Sequence, residues 1–141
     1  MKKLTTIVFI ILFVAMTGAC DTQNGCNEGS PKVFQLTAEQ NGFLIRIHQF
    51  DQIQIELASN PSTGYTWVHE TSSGSVVEQD GEPVFEQAPD CSSGMDGCGG
   101  TETFSFTAVG IGTQKIALIY KRSWEDDEEP IERFEVTVAA R

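Results

Sequence analysis

The segment Asn60-Pro61-Ser62-Thr63-Gly64-Tyr65-Thr66-Trp67 sets a polar, glycine-terminated turn between two runs that alternate apolar and polar residues. Its chemistry is that of recognition. Pro61 fixes its own φ and biases Asn60 towards an extended backbone, while Gly64 accepts a positive φ that Thr or Tyr would resist. The hydroxyls of Ser62 and Thr63 are left at the tip, and Tyr65 and Trp67, two apart, share one face of the following strand, where they can anchor the turn's base. Taken alone, such a turn also reads as plain punctuation between strands. Two further segments keep it from standing alone: Gly97-Cys98-Gly99-Gly100 and Arg122-Ser123-Trp124. Arg and Trp are typical binding anchors. Trp124 stands where a strand gives way to the acidic run 125–129, which favours an exposed ring, whereas Trp67 is expected to fill the core beneath the first turn.

Catalytic chemistry is not visible. An enzyme needs a nucleophile beside a base, paired carboxylates in a cleft, or a metal site. His48 and His69 lie within strand-like runs and read as structural or surface residues. Neither stands at a zinc-ligand spacing from a cysteine pair. The five consecutive acids 125–129 lack the alternation and the glycine of a calcium loop and read as a solvated charge run. Asn60-Pro61-Ser62 is no glycosylation acceptor, because proline occupies the middle position. No catalytic residue, metal or cofactor is therefore assigned.

The elements that must position these segments are strands. Apolar periodicity is two throughout and never helical over three turns, with strands expected at 33–38, 42–48, 52–57, 64–70, 83–86, 101–109, 113–121 and 131–139. Ile53, Ile55 and Leu57 share a face, as do Phe104 and Phe106, then Ile116, Leu118 and Tyr120, then Phe134, Val136 and Val138. Turns are signalled at Asn41-Gly42, Asp80-Gly81 and Gly110-Ile111-Gly112. The expected fold is all-β, an immunoglobulin-like sandwich of seven or eight antiparallel strands. If the first two segments form one bent strand, alternation of direction brings the connections 58–63, 87–100 and 122–130 to one end. Those connections carry the three motifs.

In this order and at these spacings the three segments resemble the chagasin family of cysteine-peptidase inhibitors, whose members carry Asn-Pro-Thr-Thr-Gly-aromatic, Gly-x-Gly-Gly and Arg-Pro-Trp loops. The chain departs from that pattern at Ser62 and Ser123, and the likeness runs from about Val33 to Arg141, including the closing Glu132-Arg133-Phe134-Glu135-Val136 run. The resemblance implies a reversible inhibitor of papain-like cysteine peptidases that occludes the active-site cleft. Thr63 would then lie nearest the enzyme's reactive cysteine, with Asn60, Pro61, Ser62, Gly64 and Tyr65 forming and holding the turn. Gly97, Cys98, Gly99 and Gly100 would line the substrate-binding side, and Arg122, Ser123 and Trp124 would pack on the opposite side, near the catalytic histidine. The rival reading is an adhesive or structural immunoglobulin-like lipoprotein that binds another partner through its end loops.

The ends and the composition bound the setting. Met1-Lys2-Lys3, the apolar run 7–16 and Thr17-Gly18-Ala19-Cys20 read as a secretory signal of lipoprotein type over 1–19, with Cys20 lipidated. Thr17 departs from the usual Leu. Residues 20–32 read as a tether and 33–141 as one domain of about 110 residues, enough for a single core. The expected location is the cell envelope, held to a membrane by lipid, and a monomer is expected. The formal charge of -11 becomes -13 once Lys2 and Lys3 are removed. No basic cluster offsets it, which argues against nucleic acid as a partner. With Cys20 assigned to lipid, Cys26, Cys91 and Cys98 allow three single pairings. Cys91 with Cys98 is favoured, since they flank one short Gly/Ser-rich loop, and Cys26 is left as a spare.

Overall fold

The computed structural model describes residues 30–70, 74–91, 97–124 and 129–141. Nine strands run in chain order: β1 (Val33–Thr37), β2 (Leu44–Ile47), β3 (Gln52–Ser59), β4 (Tyr65–Glu70), β5 (Val77–Gln79), β6 (Val84–Gln87), β7 (Gly100–Ala108), β8 (Gly112–Arg122) and β9 (Glu132–Ala140). One sheet takes the order β1-β3-β7-β5 with β6 also on β7, the other the order β2-β9-β8-β4. The expected sandwich is thus found, with two refinements. The first two segments are not one bent strand: Thr37 caps a short 3-10 turn (Ala38–Gln40) and Gly42 takes φ 80, so the chain reverses between sheets. As a result β1 pairs parallel to β3 and β2 parallel to β9, while every other pairing is antiparallel. The segment expected at 83–86 is one of two pieces, because the Asp80-Gly81 turn, with Gly81 at φ 72, divides β5 from β6 along the length of β7.

The core follows the alternation. Ile53, Ile55, Leu57, Phe104, Phe106, Ile116, Leu118, Tyr120, Phe134, Val136 and Val138 are all buried between the sheets, with Trp67 among them. Burying a side chain of this size contributes about 1.5–3 kcal/mol.

At the end where β3 begins, Asp51 is buried and accepts hydrogen bonds from the backbone N–H of Lys32 (2.8 Å) and of His48 (2.7 Å). Burial pushes its carboxyl up, yet these bonds and the nearby charges of His48 and Lys32 outweigh burial and hold it below the ordinary carboxylate value. A depressed carboxylate adds stability above its unfolded value, about 3.9, and that stability is lost as pH falls through the lower folded value. Asp51→Asn should therefore lower the thermal midpoint at pH 7 and reduce the further loss that the parent shows on acidification below about pH 4. Parallel melting curves at pH 7 and pH 3 for both proteins check this; identical curves would dismiss it.

Candidate functional site

Two registers fix the site. Ser59 at the end of β3 pairs with Gly100 at the start of β7, and Tyr65 at the start of β4 pairs with Arg122 at the end of β8. The three motif connections therefore emerge together at one end, as the alternation of strand direction requires.

The first turn is a single 3-10 turn, Pro61–Thr63, between Asn60 and Gly64. Asn60 holds it from inside: its carbonyl accepts from the Thr63 backbone N–H (3.1 Å) and from the Thr63 hydroxyl (2.6 Å), and its side-chain oxygen accepts from the Ser62 hydroxyl (2.6 Å). Gly64 closes the turn at φ 83, its N–H donating to the Pro61 carbonyl (2.9 Å). Pro61, Ser62 and Thr63 are all exposed. The tip projects with its local hydrogen bonds already made, so little ordering remains to be done on binding.

The other two connections lean on this turn. From the second, the Gly97 carbonyl accepts from the Asn60 side-chain amide (3.0 Å), and Gly97 takes φ 86. Cys98 is bonded to Cys91, with Cα atoms 5.9 Å apart. Gly99 passes so near the first turn that a Cβ there would stand 3.3 Å from the Ser59 carbonyl. Gly100 plays a further part. It begins β7, and a side chain on it would strike the Glu86 carbonyl and the Phe85 ring, so its glycine also serves the β6–β7 pairing.

From the third connection, the Trp124 indole lies across Gly64, where an added Cβ would overlap the ring. Trp124 nonetheless remains 65% exposed, as expected from its neighbours, and Ser123 is exposed beside it. Arg122 does not project with them. Its guanidinium lies 4.6 Å from the centre of the half-buried Tyr65 ring, a cation–π contact that ties the foot of the third loop to that of the first. Asn60, Gly64, Gly97 and Trp124 thus join three loops into one ridge.

Beneath the ridge are two residues whose part the motifs do not reveal. Tyr120 stacks against both Tyr65 (5.6 Å) and Trp67 (5.1 Å), and its hydroxyl accepts from the Asn60 N–H (2.8 Å). Glu102 is buried and spans the sandwich, accepting from the Thr66 hydroxyl (2.8 Å) and the Trp67 N–H (3.2 Å). Its place was readable by parity, since 102, 104 and 106 face the same way along β7. Glu102→Ala removes the acceptor of two donors at once and should cost about 2 kcal/mol or more of stability, given that each buried donor left without a partner costs about 1–3 kcal/mol. Chemical denaturation measures it; a loss under about 0.5 kcal/mol would show that Glu102 does not brace the ridge.

The remaining candidates lie apart. His48 is exposed at the other end beside Asp51, and His69 packs edge-on to Phe106 with its Nδ1 3.0 Å from Gln79 Oε1. A flank groove of about 230 Å³, lined by Leu57, Trp67, Arg133 and Phe134 among others, has no Ser, Thr, Cys or His in its wall among the described residues. The lipidation candidate Cys20, the spare Cys26 and most of the acidic run, 125–128, lie outside the described residues.

Comparison with known proteins agrees with this geometry. Residues 46–138 match the profile of the Chagasin family peptidase inhibitor I42. The chain is 33% identical over 111 residues to chagasin of Trypanosoma cruzi, covering 75% of this chain and 96% of that protein. It is 37% identical over 90 residues to amoebiasin-1 of Entamoeba histolytica, covering 63% and 82% respectively. Among solved structures, the crystal structure of a cysteine protease inhibitor from Entamoeba histolytica matches with a TM-score of 0.69 at 28% identity, over 80% of this chain and 99% of that one.

Proposed function

This chain belongs to the chagasin family of peptidase inhibitors, and we propose that it blocks papain-like cysteine peptidases by driving the Pro61–Thr63 turn into the active-site cleft. It is an inhibitor of cysteine peptidases and not an enzyme. The observation that carries the mechanism is the joining of three loops at one end: Asn60 bonded to Gly97 and Trp124 laid over Gly64. An adhesive module has no need of that convergence.

In this reading Thr63 stands nearest the reactive thiol. Its hydroxyl is turned back onto the Asn60 carbonyl, so the tip offers a small, internally satisfied surface. Gly97, Cys98 and Gly99 lie along the substrate-binding side, held by the Cys91–Cys98 bond, while Trp124 covers the opposite wall with Ser123 beside it. Arg122 and Tyr65 work through position, each holding the other at the ridge's foot. Inhibition needs no bond to form or break, and the binding is reversible.

The decisive experiment is a titration of papain with the purified protein, for which one-to-one, reversible loss of activity is expected. Full papain activity with the inhibitor in micromolar excess would overturn the proposal. We further propose that the protein is exported and held in the cell envelope as a monomer, with residues 1–19 removed and Cys20 carrying the lipid ahead of the 33–141 domain. Intact-mass analysis of protein recovered from membranes should show an acyl-glyceride addition at Cys20, and an unmodified thiol would refute it.

A further inference from the structure

The end of the sandwich opposite the ridge has its own character. β3 and β8 start there and β7 and β9 finish there, as the pairings of Gln52 with Thr107 and Gly112 with Ala140 require. The chain also enters the domain at this end, since Val33 pairs with Gln52 and Lys32 bonds to Asp51.

The most exposed large apolar side chains there are Phe50 at 61% and Ile111 at 72%, with Val33 at 51% where the chain enters. The turns of Phe50 and Ile111 are joined: the Phe50 N–H donates to the Ala108 carbonyl (2.7 Å) and the Gln49 side-chain amide to the Val109 carbonyl (2.8 Å). Phe50 is also the one non-glycine residue with a positive φ among those described, at 72. A bulky side chain in that conformation is strained where Gly or Asn would be at ease. An aromatic kept in a strained backbone and then left mostly in solvent earns nothing from the core, so its use lies outside the fold.

The charges at this end favour one kind of neighbour. Lys32, Arg46 and Arg141 are exposed here, with His48 beside them. Asp51 is buried among backbone donors, Lys115 is paired with Glu135, and the nearest exposed acids are Glu78, which pairs with Thr107, and Asp80, whose carboxylate accepts from the Thr107 hydroxyl (2.6 Å). Among the acids at or near the other end are Glu39, Glu86, Asp90, Glu129 and Glu132. The nine-residue strand β7 sets the two ends about 30 Å apart. Salt screens charge beyond about 8 Å at physiological ionic strength, so the acids of the ridge end are largely screened from this surface.

We propose that this end, with Phe50 and Ile111 inserted and Lys32, Arg46 and Arg141 around them, is a membrane-contact surface that seats on anionic phospholipid and aims the inhibitory ridge away from it. Its pairing with a lipid at Cys20 rests on the anchored reading above. Eleven residues separate Cys20 from Lys32, so even a fully extended chain holds the domain within about 40 Å of the bilayer. The two features act together, since one attachment limits distance and the apolar, basic surface sets orientation.

The surface is tested without the lipid, using the protein that begins at position 20 with Cys20→Ser. Cosedimentation with vesicles of phosphatidylglycerol and phosphatidylethanolamine at low salt is expected. It should weaken as salt rises and fall at least about tenfold when Phe50→Asn and Ile111→Ser are added, while papain inhibition stays unchanged. Asn tolerates the backbone conformation at position 50, so this pair leaves the fold intact. Absence of vesicle binding, or binding that the paired substitution does not alter, overturns the proposal. The anchored reading fails separately, on an intact mass without acyl chains at Cys20.

Discussion

Thr63→Arg should weaken inhibition of a papain-like peptidase by at least about 100-fold, roughly 3 kcal/mol, with the thermal midpoint almost unmoved. The side chain is exposed at the tip of a 3-10 turn whose backbone bonds, Thr63 N–H to Asn60 carbonyl and Gly64 N–H to Pro61 carbonyl, do not involve it. Only the bond from its hydroxyl is lost from the free protein, and an exposed substitution of this kind usually changes stability by no more than about 0.5 kcal/mol. In the complex, by contrast, a long charged side chain must fit where a hydroxyl and a methyl did, and its charge must leave water inside the cleft. Inhibition constants and melting curves for parent and variant decide it: equal constants remove Thr63 from the interface.

Gly64→Ala is the second large effect, and it acts on two loops at once. The new methyl meets the Trp124 ring, and a φ of 83 costs a residue with a Cβ about 1–2 kcal/mol. The indole must lift away, taking with it an anchor whose own loss, in Trp124→Ala, should cost about 2 kcal/mol or more, near 30-fold. If the ring's displacement is the main cause, the two changes do not add. Gly64→Ala should lose about 30-fold in the parent and no more than about fivefold in the Trp124→Ala background, a coupling of about 1 kcal/mol. Full additivity would mean that the first and third loops bind independently and that the ridge is not one unit.

The legible part of this molecule was what repeats or what a single residue type dictates. Alternation placed Ile53, Phe104, Leu118 and Val136 in the core because a half-buried strand cannot do otherwise, and strand order brought three loops to one end. Pro61 and Gly64 marked a turn, since proline pre-sets its first position and glycine suits the φ of 83 that closes it. What escaped was set by approach between distant segments. Gly100 resembles its neighbours in the motif, yet it is glycine because β6 crosses it, and Arg122 is drawn back by Tyr65, which lies beside it only through the β4–β8 register. The reversal between β1 and β2 was hidden for a like reason: Asn41-Gly42 marks a turn but not whether the chain bends within a sheet or crosses, and here a 3-10 turn sends each run to a different sheet.

The parallel pairing of β2 with β9 joins residues 44–47 to 137–140, almost the full length of the domain. Such a contact closes a very long loop before it returns any stabilisation, and chains dominated by distant pairings fold slowly, over milliseconds to seconds. The second sheet therefore cannot be completed until the last strand has left the ribosome. A fragment without β9 leaves Gly112–Tyr120 of β8, the strand that leads to Arg122 and Trp124, unpaired along one edge. Until β9 has been made, β2 and β8 each lack a neighbour, so the domain stays open through most of its own synthesis.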